Sequence, residues 1–328
     1  MGRSGFLPRL ESVRGIAAVV VVVYHVIALY GDISGSGMVA VVVFFVLSGF
    51  VLARSLERDC DAARFARRRF FRLVPPAAAV VALLACLHWR FGFYVGYEGS
   101  FDPFNVLLNA LLVRSDLNGV MWSLTVEAFA APFVFGAFWL LRSRGVGPLV
   151  AIIVVLFGLS FWGPYVHLLG GFTNLAPFYA FLLGVLAHER GELAVRALGA
   201  KTELLLALIA VGVLAWCGLK KQTAPIILVE SCLATVLVLL VAFGQRRSIF
   251  AFLDLALVRS YGRISYSFYM LHPVGMSLAA MLLSEAPWWS MLACSIGLTT
   301  PMAWANWRFV EVPSMGLARA PGHSRKPV

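Results

Sequence analysis

An all-α, polytopic membrane fold is what this 328-residue chain predicts, and three observations predict it. Hydrophobic residues make up 61% of the chain and charged residues 13%, about half the charged share of soluble domains, and the mean hydropathy is +0.87. Apolar runs of about twenty residues recur from end to end, each long enough to cross about 30 Å of hydrocarbon. Stretches such as Ile16 to Val23 and Val150 to Gly158 are apolar on every face, without the alternation that a membrane barrel requires, so the spans are helices.

The apolar runs place ten spans in a single membrane-embedded domain, 1–328. The first, 13–30, follows directly on Arg14 without a small-residue cleavage pattern and reads as a retained helix rather than a signal peptide. It carries His25, eleven residues and roughly 16 Å of helix rise beyond Arg14, near the middle of the bilayer. The second, 37–55, holds Ser48 at a comparable depth in FFVLSGF. The third, 73–91, is preceded by RRRFFR, which sets Arg69 and Arg72 on one face at the cytoplasmic surface. The fourth, 120–141, opens on WSLTVE, with Trp122 and Ser123 at the outer boundary and Glu127 about one and a half turns inward. Apolar runs with turn residues between them give spans at 147–165, 168–188, 202–219 and 225–244. The ninth, 260–283, contains SYSFYMLH, which puts His272 at mid-depth and Tyr266 and Tyr269 on one helical stripe. The tenth, 288–309, leaves too few residues after it for a soluble domain.

Twenty-seven Lys and Arg against sixteen Asp and Glu give a net charge of +11. Nucleic acid is not needed to explain it. With the amino terminus in the cytoplasm, all the basic residues except Arg90, Arg114, Lys220 and Lys221 fall on the inner side, which sets both termini in the cytoplasm by the positive-inside rule. On that rule alone Arg54, Arg58, Arg64, Arg67 and Arg68 are topology signals. The five cysteines, unevenly spaced and mostly within spans, read as small core residues and indicate neither a disulfide framework nor a zinc cluster. There is no GxxxxGK[ST] loop, HExxH helix, GxSxG elbow or dinucleotide fingerprint.

Polar side chains inside a span cost about 2.5–3.5 kcal/mol on insertion scales, so His25, Ser48, Glu127 and His272 each ask for a reason. Two readings of such a set are open: interhelical hydrogen-bonding groups, or a polar chamber at mid-membrane with an arginine-rich cytoplasmic mouth. In the chamber, an imidazole would accept a proton from a hydroxyl while a carboxylate orients it, and arginines at the mouth would hold a phosphorylated carrier bidentately. Coenzyme A has the corresponding shape, with phosphates at one end of a long thin arm. A transporter or flippase for a glycan, lipid or acyl group would need the same intramembrane polarity and stays open on the residues alone.

The chain resembles the acyltransferase-3 family of integral membrane O-acyltransferases. The resemblance rests on LESVRGIAAVVVVVYH at 10–25, FFVLSGF at 44–50, the Arg-x-x-Arg of Arg69 and Arg72, WSLTVE at 122–127, FYAFLLGVL at 178–186, SYSFYMLH at 265–272 and FVEVP at 309–313, in the family's order. It implies a bacterial inner-membrane enzyme that moves an acyl group, by default acetyl, from cytoplasmic acyl-CoA to a hydroxyl of a sugar, glycolipid or surface glycan precursor. No metal or covalent cofactor is implied. It further implies His25 as general base with Glu127 assisting, Arg14, Arg69 and Arg72 as donor-binding residues, and Ser48, Trp122, Ser123, Tyr266 and His272 as chamber residues. Val42 stands where many members carry an acid, PFYA stands where many carry an arginine, and the extracytoplasmic SGNH-type domain of some members is missing. A membrane-proximal acceptor suits such a chain best.

Overall fold

The computed structural model describes residues 7–31, 37–96, 99–161, 165–168, 171–174, 176–244, 249–283 and 285–318. Twelve α-helices account for most of them: α1 (Pro8–Tyr30), α2 (Met38–Arg58), α3 (Ala62–Phe91), α4 (Pro103–Ala110), α5 (Trp122–Arg144), α6 (Val146–Leu159), α7 (Tyr179–Arg196), α8 (Ala200–Gly218), α9 (Ala224–Phe243), α10 (Ala256–Leu282), α11 (Trp288–Asn306) and α12 (Val312–Leu317). Among the described residues, six helical segments are long and apolar enough to cross a membrane: α1, α2, α3, Gly119–Arg144 (α5 with its leading turn), α8 and α9.

Each predicted span meets a helix, with three differences. The fifth and sixth predictions, 147–165 and 168–188, run together what the chain separates. Helix α6 ends at Leu159, β1 (Tyr165–Leu168) and β2 (Gly171–Asn174) form an antiparallel hairpin, and α7 begins only at Tyr179. Gly158, Gly163, Pro164, Gly170 and Gly171 give this stretch its breakers. The third helix starts at Ala62 rather than at residue 73, capped by Asp61, whose carboxylate accepts from the Arg64 backbone N–H at 2.7 Å. The arginine run is therefore helical, and its face is fixed. Helix α4 has no counterpart among the predicted spans: Asp102 caps it, and Asn105 and Asn109 both donate to Asp116, tying it to the loop that enters α5.

The cysteines depart from expectation. All five are free, but only Cys217 is buried, while Cys60, Cys86 and Cys232 are exposed.

Two apolar clusters make the core, one built mainly on α2, α5, α7 and α9, the other on α1, α3, α10 and α11. Glycines set two of the tightest seams. A Cβ on Gly49 of α2 would collide with the Phe181 carbonyl, and one on Gly184 of α7 with the Val46 carbonyl, so α2 and α7 touch backbone to backbone. A Cβ on Gly15 of α1 would lie 2.5 Å from the Gly262 nitrogen of α10. The first seam fixes Ser48 and the second fixes Arg14, each one residue from its glycine.

Candidate active site

Beside the first cluster, whose Leu10, Leu52 and Phe65 line it, lies a cavity of about 400 Å³, lined also by Arg14 of α1, Ser48 of α2, Arg69 and Arg72 of α3 and Glu127 of α5. Four helices thus bring together five of the residues singled out in the sequence. Glu127 is its organising anion. Its Oε1 accepts from Arg69 Nη2 at 2.8 Å and from Ser48 Oγ at 2.9 Å, with both members of the ion pair buried. Arg69 is consequently a buried residue rather than the surface residue predicted; the α3 helix already runs through it, and Glu127 draws it inward. Arg72 Nη1 reaches only Met315 Sδ, at 3.6 Å, among the described residues.

Positive charge exceeds negative here. Glu127, Glu311, Arg69 and Arg72 all act electrostatically on Arg14. Glu311, from the closing FVEVP, is the acid that the motif contains but that no sequence signal places in the site. It is buried in a π-helical turn (Trp307–Glu311) and accepts from Ser267 Oγ at 3.0 Å. Six arginines, Arg14, Arg54, Arg58, Arg68, Arg69 and Arg72, thus stand against three carboxylates, Glu127, Glu311 and Glu11, the last of which also lines the cavity. Among the described residues, the buried Nε atoms of Arg14 and Arg69 have no hydrogen-bond partner, which leaves two N–H donors aimed at nothing. Arg54, Arg58 and Arg68, read from sequence as topology signals only, also line the cavity, and Arg68 is held by Asp59 at 2.7 Å. Positive charge of this kind favours an anionic ligand, and planar guanidiniums suit phosphate.

A second polar centre lies on α1 and α10. His25 Nδ1 and His272 Nε2 are 2.9 Å apart, and the rings stack with centroids 5.1 Å apart. His272 is fully buried and its Nδ1 lies 2.6 Å from the Tyr269 carbonyl. His25 therefore has His272 as its partner, not Glu127 as expected from the sequence; the carboxylate is committed to Arg69 and Ser48. Arg14 and His25 nevertheless share one helix, α1. Eleven residues at 3.6 per turn is close to three full turns, so both side chains leave α1 on the same stripe, about 16 Å apart along the axis.

The remaining predicted residues hold this frame. Tyr266 donates to the Leu73 carbonyl at 2.8 Å, joining α10 to α3. Tyr269 OH accepts from Ser123 Oγ at 2.9 Å and donates to the Val120 carbonyl at 3.0 Å, joining α10 to the start of α5. Trp122 packs edge-on against Phe45. Among the described residues, no group of three His, Cys, Asp or Glu side chains is gathered closely enough to hold a metal ion.

The chain is 37% identical over 81 residues to protein 2 of the picA locus of Rhizobium radiobacter, covering 23% of this chain and 42% of that one. It is 35% identical over 78 residues to a protein of Komagataeibacter xylinus with the provisional name membrane-bound transacylase BcsY, covering 23% of this chain and 19% of that one. The matches thus span less than half the length of either relative. No solved structure matches. The acyltransferase-3 family model, described as an acyltransferase domain, matches residues 7–308, nearly the whole chain. With its apolar helices, this chain is a multi-pass integral membrane protein and belongs to the acyltransferase-3 family.

Proposed function

We propose that the protein transfers an acyl group, acetyl by default, from cytoplasmic acyl-CoA to a hydroxyl of a sugar, glycolipid or surface glycan precursor, with His25 as general base. The observation that carries this reading is the arginine-rich cavity, in which the buried Nε atoms of Arg14 and Arg69 have no partner among the described residues and Arg14 lies three helical turns below His25 on one stripe of α1. Phosphates of the donor occupy the arginine cavity, and the pantetheine arm runs along α1 and brings the thioester to the imidazole. Arg14, Arg69 and Arg72 hold the donor, and Glu127 holds Arg69 in place. His25 takes the proton of the acceptor hydroxyl as its oxygen bonds the thioester carbonyl carbon. The C–S bond breaks, and the leaving thiolate takes the proton from the imidazolium. Ten spans with both termini in the cytoplasm, in a bacterial inner membrane, put the basic cavity on the side where acyl-CoA is found.

Thermal stability of the detergent-purified protein with acetyl-CoA, desulfo-CoA and ATP tests the donor site. A ligand bound only by the folded state stabilises it by about 2.7 kcal/mol at a hundred times its dissociation constant. Stabilisation by both CoA compounds, lost in Arg14→Ala and Arg72→Ala, is expected. A well-folded protein that neither CoA compound stabilises refutes the reading.

A further inference from the structure

We infer that Pro273 and His272 act as positioning residues that fix the tautomer of His25 so that Nε2 is its proton-accepting atom. The inference rests on the general-base reading above and adds to it which nitrogen works and what holds it so. Proline at position 273 lies inside α10 and has no N–H. In a regular helix that N–H would donate to the carbonyl four residues earlier, which is Tyr269. The Tyr269 carbonyl therefore lacks its helical donor, and His272 Nδ1 lies 2.6 Å from it.

A carbonyl oxygen only accepts, so His272 Nδ1 carries the hydrogen. In the neutral ring Nε2 is then a bare lone pair. His25 Nδ1 lies 2.9 Å from that lone pair, so His25 Nδ1 must be the donor. The hydrogen of neutral His25 is thereby spent on His272, and its Nε2 keeps the lone pair. Among the described residues, nothing hydrogen-bonds that nitrogen. One orphaned carbonyl thus sets the proton positions of two rings in series. The order Tyr-Met-Leu-His-Pro in 269–273 places carbonyl, imidazole and proline at the offsets this needs. The close seam of α1 and α10 at Gly15 and Gly262 brings the second ring within reach.

The test uses the full chain in detergent with histidine labelled by ¹⁵N. His25→Gln identifies the His25 signals, and each variant's stabilisation by desulfo-CoA reports its fold. The wild type is expected to show His25 protonated at Nδ1 and bare at Nε2. In His272→Leu and Pro273→Ala the Nδ1 signal is expected to move towards the unprotonated position, completely in the first and partly in the second, where the new alanine supplies the missing backbone N–H. Thiol release from acetyl-CoA is expected to fall about 10–100-fold in kcat in His272→Leu, by analogy with the loss of a partner that orients a metal-bound histidine, with the KM for the donor unchanged. His272→Gln, whose side-chain oxygen accepts from Nδ1, restores part of kcat, which a merely structural role would not produce. A wild-type His25 protonated at Nε2, or signals indifferent to both variants, overturns the inference. Undiminished turnover in His25→Ala would refute the general-base reading instead, and the ¹⁵N spectrum separates the two failures.

Discussion

Replacing Glu127 by alanine removes the only acceptor that Arg69 has among the described residues, in a cavity that already holds Arg14 and Arg72. Its Oε1 takes hydrogen bonds of 2.8 Å from Arg69 and 2.9 Å from Ser48, and the two charged side chains are 8% and 7% exposed for Arg69 and Glu127. Breaking a buried pair by deleting one partner costs about 3–5 kcal/mol, because the survivor keeps its desolvation penalty without its counter-charge. That is a large part of the roughly 5–15 kcal/mol by which folded proteins are stable. The apolar double variant, Arg69→Met with Glu127→Leu, removes both charges and is expected to be nearly as stable as the wild type. Unfolding of the wild type, Glu127→Leu, Arg69→Met and the double variant in detergent closes a double-mutant cycle, with an expected coupling energy of at least about 3 kcal/mol, because the double variant is spared a lone buried charge. On the proposed function, which gives Arg69 to the donor, the double variant should nevertheless lose stabilisation by CoA. A Glu127→Leu loss below about 1 kcal/mol, additive with that of Arg69→Met, would refute the claim that this pair organises the cavity.

Other outcomes follow from single contacts. Gly184→Ala and Gly49→Ala each drive a methyl into a backbone carbonyl of the facing helix, so each should lower stability by about 1–3 kcal/mol or more, measured by thermal unfolding. Tyr266→Phe leaves the buried Leu73 carbonyl without its side-chain donor and should cost about 1 kcal/mol in the same assay. Outside the spans, Asp254 accepts from Arg9 and Arg259, which pull its pKa down to about 2. A carboxylate whose folded pKa is lowered stabilises the fold above its unfolded value of about 3.9 and loses that contribution as pH falls through the folded value. Asp254→Asn should therefore be less stable than the wild type at pH 7, with the gap closing between about pH 4 and pH 2; a gap that stays constant with pH would exclude the ion pair as its source.

Local signals carry the helices, whereas long-range pairing is invisible to them. Apolar runs locate α1, α2, α5 and α9 well, because burial in lipid is written residue by residue. The start of α3 escapes a hydropathy rule because eleven residues with five arginines read as a loop, although Asp61 supplies a cap. The arginine run also shows why a charge rule under-reads a site: one segment serves as a topology signal and as the wall of a cavity, and only three-dimensional placement separates Arg68, which lines it, from Arg67, which bonds the Leu317 carbonyl. Glu127 is legible as a buried acid that needs a partner, but not as the partner of Arg69, 58 residues away. The pairing of His25 with His272 joins residues 247 apart, and nothing local announces it.

The motifs become intelligible as contacts once those pairs are known. In FFVLSGF, Gly49 lets α2 meet the backbone of α7 at the FLLG glycine, and Ser48 beside it is thereby presented to Glu127 of WSLTVE. Glu127 in turn seats Arg69 of Arg-x-x-Arg. Gly15 lets α1 meet α10, which presents Arg14 to the cavity at one end of a three-turn stripe and His25 to His272 at the other. FFVLSGF and the opening motif of α1 therefore each pair a residue that permits close approach with one that uses it. A substitution at either glycine should disturb chemistry and stability together, because the polar residue moves with the seam, whereas one at Ser48 should weaken the hold on Glu127 and leave the α2–α7 seam intact.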